Sequence, residues 1–377
     1  MIYFDNAATT FPKPSSVYSS VGSTMRKICA NPGRSGHKMS LACGKLVYKT
    51  RELAASLINA PKVESCIFCF NCTDALNTAI KGVLRPGMHV VTSQIEHNSV
   101  LRVLKTMEKR GFIRLTVVAP RPDGIISAEA IAAAINRRTR LIVLTHASNV
   151  LGTVQPIAAV GALCRARGII FLVDAAQSAG VLDIDLQKMN IDMLATAGHK
   201  GLYGPQGTGI LYISPDISAD TLKEGGTGTS SELLYQPHEM PERFESGTLN
   251  TPGIAGLYAG MRFTIKNKED IRRNERRLCE FIYEGLSNIN GVKIYGTDNF
   301  DKRVGVISFN YRDVQSGIIA DELNLRNIAV RAGLHCAPGC HEFMGTTDQG
   351  AVRISLGAFN TLSEAQFLLD SLKEILC

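Results

Sequence analysis

The chain has 377 residues, 45% apolar and 20% charged, with a formal net charge of +7. This length and balance exclude a disordered chain and are enough for a sizeable core in one large and one smaller domain. No apolar run approaches a membrane span, and the start, Met1-Ile2-Tyr3-Phe4-Asp5-Asn6, lacks the basic and apolar segments of a secretory signal, so a cytoplasmic location is expected.

Along the chain, short apolar runs alternate with helical patterns. Strands are expected at 66–70, 89–92, 115–118, 141–145 and 169–173, and helices at 73–84, 99–110, 127–136 and 157–167. Continuous apolar strands separated by helices imply a largely parallel sheet covered on both faces, with its ligand crevice at the carboxyl ends of the strands. After residue 255 a long charged helical stretch leads to a strand at 304–309, a helix at 318–325 and a strand at 352–355, the pattern of a smaller α+β domain. The expected division is 16–255 for the large domain and 256–377, with 1–15, for the small one. The densest basic run, Arg272-Arg273-Asn274-Glu275-Arg276-Arg277, is broken by a glutamate within the helical stretch. It reads as a solvated helix face, and no nucleic-acid binding is expected.

Two short segments carry the chemistry. Asp174, in Asp174-Ala175-Ala176-Gln177, directly follows a strand and can reach the crevice; alone it would read as a helix N-cap. Lys200, in Ala197-Gly198-His199-Lys200-Gly201-Leu202-Tyr203-Gly204-Pro205, lies between glycine-rich turns. Alone it would read as a surface lysine, but desolvated in a cleft it becomes a neutral amine able to form a Schiff base. Together, an acid at a strand end and a Gly-His-Lys some 26 residues later match a pyridoxal-phosphate (PLP) site, which needs an amine for the aldehyde and an acid for the pyridine nitrogen.

From Asp5 to Phe359 the sequence resembles the class V aminotransferase family of fold-type I PLP enzymes, and within it the cysteine desulfurases and selenocysteine lyases. Arg331-Ala332-Gly333-Leu334-His335-Cys336-Ala337 resembles the Suf-type (group II) branch. The resemblance implies a large α/β domain, with a mostly parallel seven-stranded sheet sandwiched by helices, and a smaller α+β C-terminal domain. Lys200 is then the cofactor lysine, Asp174 the partner of the pyridine nitrogen, Gln177 the partner of the ring hydroxyl and His97 the residue stacked on the ring. The phosphate is expected at the start of the helix after Phe70, where backbone N–H groups and the helix dipole favour an anion. There Asn71-Cys72-Thr73 replaces the family's usual Gly-Thr-Thr, and Cys72 is a weaker donor than threonine. Ala197 stands where a serine is common and Gly201 is an extra residue, while His199 remains a phosphate contact. Thr248, in Phe244-Glu245-Ser246-Gly247-Thr248-Leu249-Asn250, resembles the residue that reaches a neighbouring subunit's phosphate, which implies a homodimer. Arg353 and Arg331 match the residues for the substrate carboxylate, a role that suits arginine better than lysine. Asn149 is expected to face substrate and cofactor, and His37 is a further active-site candidate.

Ten cysteines in such a chain point to free, catalytic or metal-binding thiols, not to a disulfide scaffold. Cys336 lies in a loop beside an arginine and a histidine, a setting that suits a nucleophilic thiol, and the resemblance makes it the persulfide-forming residue. Cys66-x-x-Cys69-x-x-Cys72 looks like an iron–sulfur run. It lacks a local fourth ligand, however, and strand alternation would put Cys66 and Cys69 on opposite faces, so these read as core cysteines. Cys336-x3-Cys340-His341 reads as an active-site loop in which the role of Cys340, as a second thiol or not, stays open, and no metal site is expected. The implied activity takes sulfur from L-cysteine, leaving L-alanine and a persulfide on Cys336 for an acceptor protein or small thiol. L-selenocysteine is the alternative substrate, and a noncatalytic metal or cluster scaffold is the rival of another class.

Overall fold

The computed structural model describes residues 1–33 and 36–376; Arg34 and Ser35, which precede His37, and Cys377 lie outside the described residues. In chain order, β1 (Ile2–Tyr3), α1 (Ser15–Lys27) and α2 (Lys38–Leu57) precede the first sheet. That sheet comprises β2 (Cys66–Cys69), β3 (His89–Ser93), β4 (Arg114–Val118), β5 (Thr139–Thr145), β6 (Ile170–Asp174), β7 (Met193–Ala197) and β8 (Gly209–Ile213). Between its strands run α3 (Cys72–Val83), α4 (Asn98–Lys109), α5 (Ala128–Ala134) and α6 (Ile157–Arg167).

The order across the seven strands is β2-β8-β7-β6-β5-β3-β4. All neighbours are parallel except β8, which is antiparallel to both β2 and β7. The two-residue strand period divides the core into two layers. On β5, Ile142 and Leu144 enter one cluster with Phe171 and Val173 of β6, while Leu141 and Val143 enter the other with Leu172. Full burial of such a side chain contributes roughly 1.5–3 kcal/mol, and truncating Phe171 to alanine would cost about 3–5 kcal/mol. The same alternation sends Cys66 to one layer and Cys69 to the other.

Beyond the sheet, α7 (Thr251–Ser287) runs unbroken through residue 255, with Asn250 as its N-cap, and α1 and α2 pack against it. A second sheet follows: β9 (Val292–Ile294), β10 (Val306–Tyr311), β12 (Arg331–Gly333) and β13 (Ala351–Ser355), antiparallel in the order β12-β13-β10-β9. With it come α8 (Ser316–Leu325), β11 (Ile328–Ala329), α9 (Pro338–Met344) and α10 (Leu362–Leu376). The N-terminus joins this unit: β1 pairs with β11, and Phe4 is buried among Ile307, Phe309 and Ile354. Among the described residues, no helix is long and apolar enough to cross a membrane.

Candidate active site

Local sequence places the functional groups at the carboxyl edge of the large sheet. Asp174 ends β6, His97 caps α4 after β3, and Asn149 lies in the turn after β5. The loop after β7 carries His199 and Lys200, and Asn71 caps α3, its side chain accepting from the Asp74 N–H at 2.9 Å. From the second unit come Arg331, His335 and Arg353. Together they line a cavity of about 200 Å³ that also includes Cys72, Thr73 and Gln177. Twelve of the expected site residues therefore converge: Asn71, Cys72, Thr73, His97, Asn149, Asp174, Gln177, His199, Lys200, Arg331 and Arg353 line this cavity, and Cys336 opens beside it.

The electrostatics suit an anionic ligand. Burial pushes the Lys200 amine below the usual lysine pKa, and the Arg353 and Arg331 cations add to that, against Cys72 and Asp174. Arg353 is 1% exposed and pairs with Asp5 at 2.7 Å. Its Nη1 donates to the Asn149 carbonyl at 3.1 Å, and its Nε is buried without a hydrogen-bond partner. His199 is pushed down to about 4 by burial, and its Nδ1 is likewise unpartnered. Burial lowers His97 as well. The Ser99 N–H donates to His97 Nδ1 at 3.1 Å, so that nitrogen is bare and the neutral ring carries its proton on Nε2.

Asp174 Oδ1 accepts from the Ala176 N–H at 2.9 Å and lies 3.6 Å from Cys72 Sγ, so the Cys72 side chain faces the carboxylate. Gln177 Nε2 donates to the Ala7 carbonyl at 3.0 Å. Cys336 is half-buried and opens onto an adjoining groove of about 510 Å³ that shares Thr73, His97 and Ser99 with the cavity. Arg331 Nη2 lies 3.8 Å from its sulfur. The loop is tied to the large unit at two points: the Asn98 N–H donates to the Cys336 carbonyl, and Asn149 Nδ2 donates to that of His335, each at 2.7 Å.

Some expectations are corrected or displaced. Cys340 is no second active-site thiol: it is 0% exposed within the apolar core, and burial pushes its pKa up to about 12. Thr248 lines a different pocket, of about 230 Å³, with Phe70, Asp74 and Gly207. His37 caps α2, where its Nδ1 accepts from the Ser40 N–H at 3.3 Å, and it is not on the cavity wall.

Three contributors escaped the sequence reading. Asp5 is the partner of Arg353, 348 residues away. Lys13 Nζ donates to the His199 carbonyl and to Thr10 Oγ1, both at 2.7 Å, which clamps the loop before Lys200. Glu96, fully buried beside His97, accepts from Ser93 Oγ and from the Thr145 N–H. Glu96 and Lys13 had a usable signal, since a charged residue beside an apolar strand or a proline turn calls for a partner; Asp5 had none nearby.

Comparison with known proteins agrees with this geometry. The chain is 34% identical to a probable cysteine desulfurase of Pyrococcus abyssi, over all of this chain and 94% of the relative. It is 33% identical to the cysteine desulfurase IscS of Serratia proteamaculans, over 99% of this chain and 92% of the relative. Since IscS-named proteins stand among the relatives, the Suf-type likeness rests on the 331–337 segment alone. Among solved structures, the apo cysteine desulfurase of Thermococcus onnurineus superposes with a TM-score of 0.93 at 32% identity, covering 100% of this chain and 94% of that one. Escherichia coli CsdA shares the fold, with a TM-score of 0.88 at 24% identity and coverage of 100% and 95%. The sequence profile of the class-V aminotransferases matches residues 2–368, and the chain belongs to that family.

Proposed function

We propose that the chain is a PLP-dependent cysteine desulfurase, with Lys200 as its cofactor lysine and Cys336 as its sulfur-accepting thiol. The observation that carries the reading is the convergence of Lys200, Asp174 and Arg353 on one cavity, with the half-buried Cys336 thiol in the groove that adjoins it. The cofactor fits these residues. An amine of lowered pKa and a carboxylate share the wall, the N-terminus of α3 offers backbone donors, and His199 Nδ1 is a buried atom in want of a partner. Asp174 would hold the pyridine nitrogen, Gln177 the ring hydroxyl, Asn71, Cys72, Thr73 and His199 the phosphate, and His97 the ring face. When bound, PLP supplies an aldehyde for the lysine amine and a ring that accepts electrons from the substrate Cα.

The chain's own residues divide the remaining work. Arg353 and Arg331 bind the carboxylate of L-cysteine, and Asn149 orients it. Lys200 Nζ, whose charged form burial disfavours, takes the Cα proton. Cys336 Sγ attacks the substrate sulfur, L-alanine leaves, and the persulfide is passed to an acceptor thiol. Two copies of the chain form the working unit, with Thr248 of one reaching the phosphate of the other. In this reading residues 16–255 hold the cofactor, and 256–377 with 1–15 close over it.

The test is product analysis with L-cysteine and L-selenocysteine in parallel, combined with borohydride reduction and peptide mapping. Alanine from cysteine, one sulfur held on Cys336 and released as sulfide only when excess reducing thiol is added, and the reduced cofactor on Lys200, are expected. Cofactor on another lysine, or no alanine from cysteine, overturns the reading.

A further inference from the structure

We propose that His335, His341 and Thr346 form a one-way hydrogen-bond chain that positions Cys336. The inference rests on Cys336 being the sulfur-accepting thiol. His335 and Cys336 both adopt left-handed backbone conformations, with φ of 50° and 56°, two residues after Gly333 at φ 102°. Side chains with a Cβ do not rest there unless their surroundings hold them. The bonds from Asn98 and Asn149 hold the two carbonyls; the three side chains hold the rest.

The direction of the chain follows from the chemistry of its end. His335 Nε2 faces the Arg331 carbonyl at 3.3 Å. A carbonyl only accepts, so Nε2 carries the proton, and in a neutral ring Nδ1 is then bare. That bare nitrogen lies 3.3 Å from His341 Nε2, which must donate to it. His341 Nδ1 is bare in turn, and the Thr346 hydroxyl donates to it at 2.9 Å. Reversing any link would leave a lone pair facing a lone pair at Arg331. Both imidazoles are buried, and burial holds both below the usual histidine pKa, which keeps the neutral forms that this arrangement needs.

The far end of the chain is rigid. On α9, Cys340 and Met344 sit in the core with the preceding Ala337, and Gly339 lies against the Gln94 backbone so closely that no side chain would fit. His341 extends that rigidity to His335. The near end closes on Arg331, the residue whose guanidinium faces the Cys336 sulfur. The Arg331 carbonyl sets the polarity of the chain, and Thr346 completes it, because its hydroxyl donates to the last bare nitrogen. These are positioning residues; none of the three needs to touch the reacting sulfur.

The experiment compares Thr346→Val, which keeps the shape and removes the donor, with Thr346→Ser, which keeps the donor, both as holoenzyme. Thr346→Ala serves as a second hydroxyl deletion should valine pack poorly. Losing one buried hydrogen bond predicts about a five- to tenfold fall in kcat for L-cysteine in the valine variant, with KM and the cofactor absorbance unchanged. Amide hydrogen exchange of the 331–337 segment should rise in the valine variant, and serine should restore both quantities. Wild-type kcat and exchange in the valine variant, or a serine variant that behaves like valine, overturns the proposal. Raised exchange with unchanged kcat also overturns the proposal, and mapping the added sulfur after one turnover in the same variant shows separately whether Cys336 is the acceptor.

Discussion

Replacing Cys336 with alanine tests whether another thiol can serve in its place. The structure puts a number on the alternatives. Cys340, four residues on, is fully buried with a pKa of about 12, so at pH 8 only about one molecule in 10⁴ carries its thiolate. Cys72 lines the cavity, but burial raises its thiol well above the ordinary value and the Asp174 carboxylate opposes its ionisation further. Neither can replace a half-buried thiol at more than a trace level, so L-cysteine desulfuration should fall by roughly three orders of magnitude or more. Cofactor absorbance should persist, because Lys200, Asp174 and His199 are untouched. L-selenocysteine turnover should fall less, since a selenol ionises and leaves more readily. The assay is alanine release over one turnover, followed by alkylation, digestion and location of the added sulfur by mass spectrometry. Sulfur on Cys340 or Cys72, or a wild-type rate, would refute the reasoning.

Three further outcomes are expected. Lys200→Ala should abolish turnover, since the cofactor linkage and the Cα base are lost together; measurable steady-state alanine release would contradict it. Glu96→Gln should flatten the pH dependence of stability. Burial raises Glu96 from 4.5 to about 8, so its favourable contribution is complete below pH 4.5 and is lost as pH rises through 8, a change of roughly 5 kcal/mol at most. Melting curves from pH 5 to 9 should therefore fall more steeply in wild type than in Glu96→Gln, and parallel curves would count against it. Sedimentation should find a dimer at assay concentration, and Arg51→Met should weaken it: the change leaves Glu245 buried without its ion pair at 2.7 Å, at a cost of about 3–5 kcal/mol, in the segment that carries Thr248. An active monomer would rule out the shared site.

The large sheet was legible wherever β-branched and leucine-rich runs stood between helical patterns, as at β3, β5 and β6. Two of its strands were not assigned. β7 reads Met-Leu-Ala-Thr-Ala, and its small residues give a weak strand signal; they are small because the sheet is covered closely on both faces there. β8 follows a glycine-rich turn and runs antiparallel, so no helix precedes it to mark a crossover. The site divided along similar lines. Asp174 and Lys200 stood out as a pair because one sits at a strand end and the other between glycines, while His97 entered through the family resemblance. The partners of Arg353 and of the His335 ring could not, because the first is held from 348 residues away and the second depends on a tautomer that only the three-dimensional arrangement fixes. Cys340 stayed open in the sequence because only the fold shows that α9 turns it into the core.

The ion pair between Asp5 and Arg353 imposes a timetable on synthesis. The two residues lie 348 positions apart, and at about 5–20 residues per second roughly 20–70 s separate their synthesis on the ribosome. Until β11 emerges β1 has no strand to pair with, and until β13 follows, the pocket lacks the guanidinium that completes its wall and Phe4 lacks Ile354 to pack against. The large sheet can collapse while translation continues, but a nascent chain would expose its lysine in a half-built cleft without the nucleophilic loop or the arginines of the second unit. Competence to act on free amino acids therefore arrives only once β13 has been made and Arg353 has met Asp5.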